Sequence, residues 1–120
     1  MTTPIQDGIL TGLSSELAGV VEQAAPSVVR VDDGTRLTAT GLIWSSDGLI
    51  MTSSHGVERD DNLAVEMADG ARYAAALVGR DPDTDIAALR IKANDLPAIE
   101  RSAPEDVKVG SLVLALGRPG

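Results

Sequence analysis

Three Asp-Gly pairs that sit between successive β-rich runs constrain this chain more than any other feature: Asp33-Gly34, Asp47-Gly48 and Asp69-Gly70. Asp-Gly tolerates the positive φ angles of tight hairpin turns, which makes it a strong short-range hairpin signal. The runs around these pairs are β-rich or alternating: "SVVRVD", "TRLTATGLIWSS", "GLIMTS", "NLAVEMA", "ARYAAALVGR", "DIAALRI" and "SLVLALG". In "NLAVEMA", Leu63, Val65 and Met67 share one face, with Asn62, Ala64 and Glu66 opposite. In "DIAALRI", Ile86, Leu89 and Ile91 are expected to be buried. Hairpins at this spacing predict an antiparallel meander that closes into a small all-β barrel. No alternating βαβ unit and no internal repeat is visible.

Ahead of the strands, residues 13–25 read as a helix. Leu13, Leu17, Val20, Val21 and Ala24 form one stripe of a 3.6-residue period, Ser14 or Ser15 can cap its start, and Pro26 closes it. The stripe predicts packing on the main body. Glu16 and Glu22 without any Lys or Arg disfavour a membrane-surface helix. The chain therefore divides into a helical lead segment, residues 1–25, and a β domain, residues 26–120.

Composition narrows the chemistry. A net charge of −8 disfavours nucleic acid and anionic membranes as partners. With no cysteine, thiol catalysis, disulfides and zinc-thiolate sites are excluded. Trp44 and Tyr73 are the only aromatics, so the core must be aliphatic. The apolar run Leu112 to Leu116 is too short to span a bilayer. No secretory segment is visible near Met1, which leaves either a cytoplasmic protein or a signal outside this chain. "DPDTD" imitates the start of a calcium loop, but Ile86 and Lys92 stand where that loop needs Gly and Glu. "GRPG" lacks the Lys of a phosphate loop and reads as a turn. No cofactor or metal site is indicated.

His55 is the only histidine. It follows the apolar run Leu49, Ile50, Met51 and the small residues Thr52, Ser53 and Ser54. A lone histidine at a strand end is more often structural or exposed than catalytic. A general base, however, needs a rigid scaffold rim with small neighbours, and a carboxylate that fixes its tautomer. Asp85, at the head of "DIAALRI", is the candidate carboxylate, although a plain turn residue after Pro82 is an equal reading. Asp81 and Asp83 are rivals expected to be solvated.

"ATGLIWSSDGLIMTSSHGVE", followed thirty residues beyond the histidine by "TDIAALRI", resembles the N-terminal barrel of HtrA (DegP-like) trypsin-type serine proteases. In that family Thr-x-x-His carries the base, here Thr52 and His55. A Gly-x-Asp-x-x-Thr-Asp motif carries the aspartate, here Gly79, Asp81, Thr84 and Asp85, continued by Ile86 and Ala87. "PSVVRV" resembles the first strand, and "VGSLVLALGRPG" the strand and turn that close the first barrel. The likeness runs from about Ser27 to Gly120. It implies an antiparallel six-stranded closed barrel, one half of a double barrel, with His55 and Asp85 as catalytic residues. Gly56 and Ala88 replace larger aliphatic residues of the family pattern, which is expected to loosen packing under the histidine.

The family's nucleophile lies in a Gly-(Asn/Asp)-Ser-Gly-Gly turn of a second barrel, and no such turn occurs in residues 1–120. Ser53 and Ser54 sit too near His55 in sequence, and Ser102 and Ser111 lack flanking glycines. The resemblance implies polypeptide substrates, a partner barrel supplied from elsewhere, oligomerisation and a downstream PDZ module. Residues 1–120 alone are expected to be inactive. Two alternatives remain at this point: a non-catalytic barrel serving as a binding or scaffold module, and complementation by a second chain.

Overall fold

The computed structural model of the chain describes residues 8–35 and 38–118. Arg36 and Leu37 of the expected second strand, Pro119 and Gly120 of the expected final turn, and residues 1–7 lie outside the described residues. The described residues form six strands: β1 (Val28–Asp32), β2 (Thr38–Ile43), β3 (Leu49–Ser53), β4 (Leu63–Glu66), β5 (Arg72–Asp81) and β6 (Ile86–Ile91). They close into a barrel in the order β1-β2-β3-β6-β5-β4, with every pairing antiparallel.

All three Asp-Gly pairs fall between strands that are successive and paired, and Gly34, Gly48 and Gly70 adopt φ of 86°, 110° and 90°. Those local turns form as predicted. The simple meander does not, because β3 pairs with β6 and β4 returns to β1. Asp-Gly pairs fix neighbours joined by a hairpin but say nothing about a strand that follows a longer connection. Residues 54–62 are that connection, and His55 sits at its start.

Period-two alternation builds the core. Val29 and Val31 of β1, Ile43 of β2, Ile50 of β3, Leu63 and Val65 of β4, and Leu89 and Ile91 of β6 point inward and are buried. One ring of cross-strand pairs runs Ile43–Ile50, Ile50–Leu89 and Leu89–Leu77. Each fully buried aliphatic side chain contributes about 1.5–3 kcal/mol. No aromatic residue is needed for this core; Tyr73 only packs against its edge. The expectation for β6 fails at one position. Ile86 is 43% exposed, and Ala87 takes the inward place. Leu89 and Ile91 fix the parity of the strand, so odd positions face in and Ile86 must face out.

On the outer face, Arg30 meets Glu66 at 2.5 Å and Arg72 meets Asp32 at 2.9 Å, which links β1, β4 and β5. These pairs are partly exposed and each contributes at most about 1 kcal/mol.

The helix α1 spans Gly8–Ala24, starting earlier than the sequence pattern suggested. A single 3-10 turn, Ala25–Ser27, joins it to β1, with Pro26 inside that turn. The predicted packing on the barrel is not formed: no residue of α1 is buried, and Leu13, Val20 and Val21 are exposed. The barrel completes its core from its strands and from Val57 and Met67 of its connections, and leaves this stripe unused. No helix among the described residues is long and apolar enough to cross a membrane.

"SLVLALG" is not a strand and does not close the barrel; Leu112 and Val113 are 68% and 71% exposed. Pairing of β1 with β4 already takes the last edge, through Arg30–Glu66, Val31–Val65 and Asp32–Ala64. The segment is instead tied back at its end. Arg118 donates from its backbone N–H to Thr40 Oγ1 (2.9 Å) and from its guanidinium to the carbonyls of Val28 (2.9 Å) and Ala25 (3.1 Å).

Candidate active site

Strand β3 delivers His55 to the barrel rim. Thr52 is buried, and its hydroxyl donates to the Thr40 carbonyl at 2.7 Å, locking β3 to β2 three residues ahead of the histidine. The chain then turns sharply. Val57 N–H donates to the Ser54 carbonyl at 3.2 Å, so His55 and Gly56 occupy the centre of a four-residue turn. Val57 plunges into the core at 0% exposure and anchors the far side.

Asp85 arrives from the opposite direction, on the β5–β6 turn. Its backbone N–H donates to the Pro82 carbonyl at 3.3 Å, and it holds φ at 58°, a left-handed conformation that Asp tolerates better than most residues. Asp85 is thus a turn residue that also faces the histidine. Its Oδ1 accepts the His55 backbone N–H at 2.8 Å, and its Oδ2 lies 2.5 Å from His55 Nδ1. The Asp85 carbonyl also accepts the Ser54 N–H at 3.0 Å. The hydrogen bond from the His55 backbone, and then that from the ring, hold the Asp85 carboxyl below its ordinary value.

One carboxylate thus grips both the main chain and the ring of the same histidine. With the ring hydrogen on Nδ1 directed at Asp85, Nε2 carries the lone pair. The imidazole is 79% exposed and borders an open cleft of about 380 Å³, whose lining includes Thr38, Thr40, Ser53 and Gly56. A second, more apolar cleft of about 390 Å³ runs along Leu42, Met51, Ile86 and Leu116. Asp81 and Asp83 stay exposed within the turn, where Asp83 N–H donates to Asp81 Oδ1 at 3.1 Å. Neither shares a hydrogen bond with the histidine. Ser102 and Ser111 are exposed on the C-terminal segment, Ser54 is buried, and Ser53 lines the cleft.

Two residues at this site escape the sequence reading. Asp33, read only as a turn former, is 2% exposed and accepts the N–H of Glu58 at 2.8 Å and the Thr35 hydroxyl at 2.6 Å. Burial opposes its ionisation, but the hydrogen bonds from Thr35, Glu58 and Arg59 outweigh it and hold the carboxyl below its ordinary value. Arg80 donates to the carbonyls of Val57 (2.8 Å) and Ser54 (3.3 Å). No local sequence signal identifies the contact of Asp33 with Glu58 or those of Arg80, since these partners lie more than twenty residues away.

The expected loosening at Gly56 is also not found. A Cβ placed there would stand 2.6 Å from Ser53 Oγ and 2.7 Å from the Ala39 Cβ, so the position is filled to its limit by its neighbours.

Comparison with known proteins places these features in context. A trypsin-like peptidase domain model matches residues 39–120. A probable periplasmic serine endoprotease, DegP-like, from Pseudomonas fulva is 34% identical over 116 residues, covering 92% of this chain and 24% of the relative. Serine protease HTRA1 of Xenopus tropicalis is 36% identical over 114 residues, covering 86% of this chain and 25% of that protein. The crystal structure of the serine endoprotease from Yersinia pestis aligns with a TM-score of 0.63 at 38% identity, over 68% of this chain and 31% of that one. The chain thus spans about a quarter of the length of these curated relatives.

Proposed function

The chain belongs to the trypsin-like peptidases, as the first barrel of an HtrA/DegP-like serine protease, and from that premise we propose that His55 and Asp85 are its catalytic base and orienting carboxylate. The observation that carries this reading is the double grip of Asp85 on the backbone N–H and the Nδ1 of His55. Such a grip sets the tautomer and leaves Nε2 able to take a proton.

In the reaction we propose, a serine hydroxyl attacks the scissile peptide carbonyl of a polypeptide and its proton passes to His55 Nε2. The imidazolium, stabilised by Asp85, then protonates the departing amine. Water, deprotonated by the same nitrogen, cleaves the acyl-enzyme. The nucleophile and oxyanion amides belong to a second barrel outside residues 1–120, with residues 1–25 as a lead segment and 26–120 as the first barrel. Losing the serine in the subtilisin case costs about 10⁶-fold in turnover, so residues 1–120 alone cleave no peptide at a useful rate.

The test is complementation. Residues 1–120 are mixed with a separately expressed second barrel of a DegP-like relative, and a fluorophosphonate probe reports serine reactivity. Labelling is expected only in the mixture and is lost with His55→Ala. Labelling that survives His55→Ala refutes the base assignment.

A further inference from the structure

The turn that carries His55 is held from more sides than Asp85 alone. Arg80 donates to the carbonyls at both ends of the turn, Ser54 and Val57, at 3.3 and 2.8 Å. Just beyond it, Asp33 Oδ2 accepts the backbone N–H groups of Glu58 and Arg59, at 2.8 and 3.4 Å. The other Asp33 oxygen is taken by Thr35, through its N–H at 3.0 Å and its hydroxyl at 2.6 Å.

A local irregularity makes the Arg80 contact available. Strand β5 slips register between Leu77 and Gly79 in its pairing with β6, and the skipped Val78 is 59% exposed. Before the slip, Leu77 lies opposite the inward Leu89; after it, Arg80 lies opposite the inward Ala87. Cross-strand partners share a face. Uninterrupted alternation from Leu77 would have turned Arg80 outward. The bulge reverses that and brings the guanidinium over the barrel rim, where the carbonyls of residues 54 and 57 point.

We propose that Arg80 and Asp33 are positioning residues that hold the Ser54–Val57 turn and the segment leaving it so that the His55 ring meets Asp85 in a single orientation. The inference rests on the reading of His55 as the base paired with Asp85, and extends it to the device that fixes the pair. A cation binds the carbonyl face of the turn and a buried anion binds the amide groups leaving it. Each bond is charge-assisted, the stronger class of protein hydrogen bond. Asp85 contacts Ser54 and His55 at the start of the loop, Arg80 holds the carbonyls at both ends of the turn, and Asp33 supplies the constraint beyond Val57.

Because the chain has a single histidine, its imidazole signals in ¹H–¹⁵N spectra of the whole 120-residue chain need no assignment. The measured quantity is the solvent exchange of the Nδ1 proton, compared with the amides of Ile50 and Leu89 in the β3–β6 ladder as a fold control. Arg80→Met and Asp33→Asn are each expected to speed ring-proton exchange by about fivefold or more, the effect of losing roughly one net hydrogen bond, with the control amides unchanged. Arg80→Lys, which keeps the cation, is expected to recover part of the protection. If Asp33→Asn unfolds the barrel, the Arg80 variants decide alone. Ring-proton exchange within about twofold of the parent in a folded Arg80→Met variant overturns the proposal. An unchanged ring in Asp85→Asn overturns the underlying His55–Asp85 pairing instead, and the base assignment fails separately in the complementation assay.

Discussion

Gly56 offers the sharpest test of how this site is packed, because the family pattern favours a larger residue there. The substitution Gly56→Ala adds one carbon, whose ideal position is 2.6 Å from Ser53 Oγ and 2.7 Å from the Ala39 Cβ. Ordinary contact begins near 3.4 Å, so both neighbours must give way by several tenths of an ångström. The Ser53 hydroxyl can rotate about one bond. The Ala39 Cβ cannot, since it is fixed to β2 and moves only with the strand. The expected cost is that of overpacking, about 1–3 kcal/mol, and Ala39 is its main source. Ala39→Gly alone removes one methyl from a strand and costs about 0.5–1 kcal/mol. The double variant should therefore be more stable than the sum of the single effects predicts, by roughly 1 kcal/mol or more. Urea unfolding can be followed through Trp44, the only tryptophan, which Arg101 covers at 4.2 Å from the ring centroid. With a slope of about 1–2 kcal/mol per molar, Gly56→Ala lowers the midpoint by about 1 M. A neutral Gly56→Ala, or strictly additive losses in the double variant, refutes the claim that Ala39 and Gly56 are in mutual contact.

Two further outcomes follow from burial and charge. Leu89→Ala should cost about 2–5 kcal/mol in the same urea assay, whereas Ile86→Ser, at an outward position, should change stability by less than about 1 kcal/mol; equal losses would mean the β6 parity is wrong. Asp32, held low chiefly by its hydrogen bond from Arg72, joins Asp33 and Asp85 below the ordinary aspartate value of 3.8. Their ionised forms are favoured in the folded state, so their contribution is complete above pH 3.8 and is lost as pH falls through the lower folded values. Acid titration by circular dichroism should show stability from these groups holding to about pH 5 and declining below about pH 4, more shallowly in Asp33→Asn; an acid profile identical to the parent's would remove Asp33 from the account.

Local chemistry made part of this molecule legible and long-range pairing hid the rest. Asp-Gly pairs located three turns because each turn needs a positive φ at one local position, which its glycine supplies. Alternation in "NLAVEMA" placed Leu63, Val65 and Met67 correctly, since every second residue was large and apolar and the intervening ones were small or polar. "DIAALRI" was ambiguous for the opposite reason: Ile86 and Ala87 are both apolar, and only the completed barrel decides which faces in. The return of β4 to β1 depends on the connection through residues 54–62, whose sequence is polar and carries no pairing signal. His55 and Asp85 could be paired as candidates from the chemistry a base needs, but a plain turn role for Asp85 stayed an equal reading until the resemblance favoured the pair, because nothing within either segment points at the other. Asp33 and Arg80 were invisible for the same cause, compounded in Arg80 by a bulge that inverts its side. The tail segment Leu112–Leu116 has the composition of a strand, but strand formation needs an open neighbour, and the barrel offers none.

In a closed ring every strand has a neighbour on both sides, so no whole strand edge is left for another polypeptide to extend the sheet. Ile86 and Leu116 both line the apolar cleft on the outer wall, so shape and oiliness would set the terms of any docking there, and the hydrogen bonds inside the barrel would stay intact.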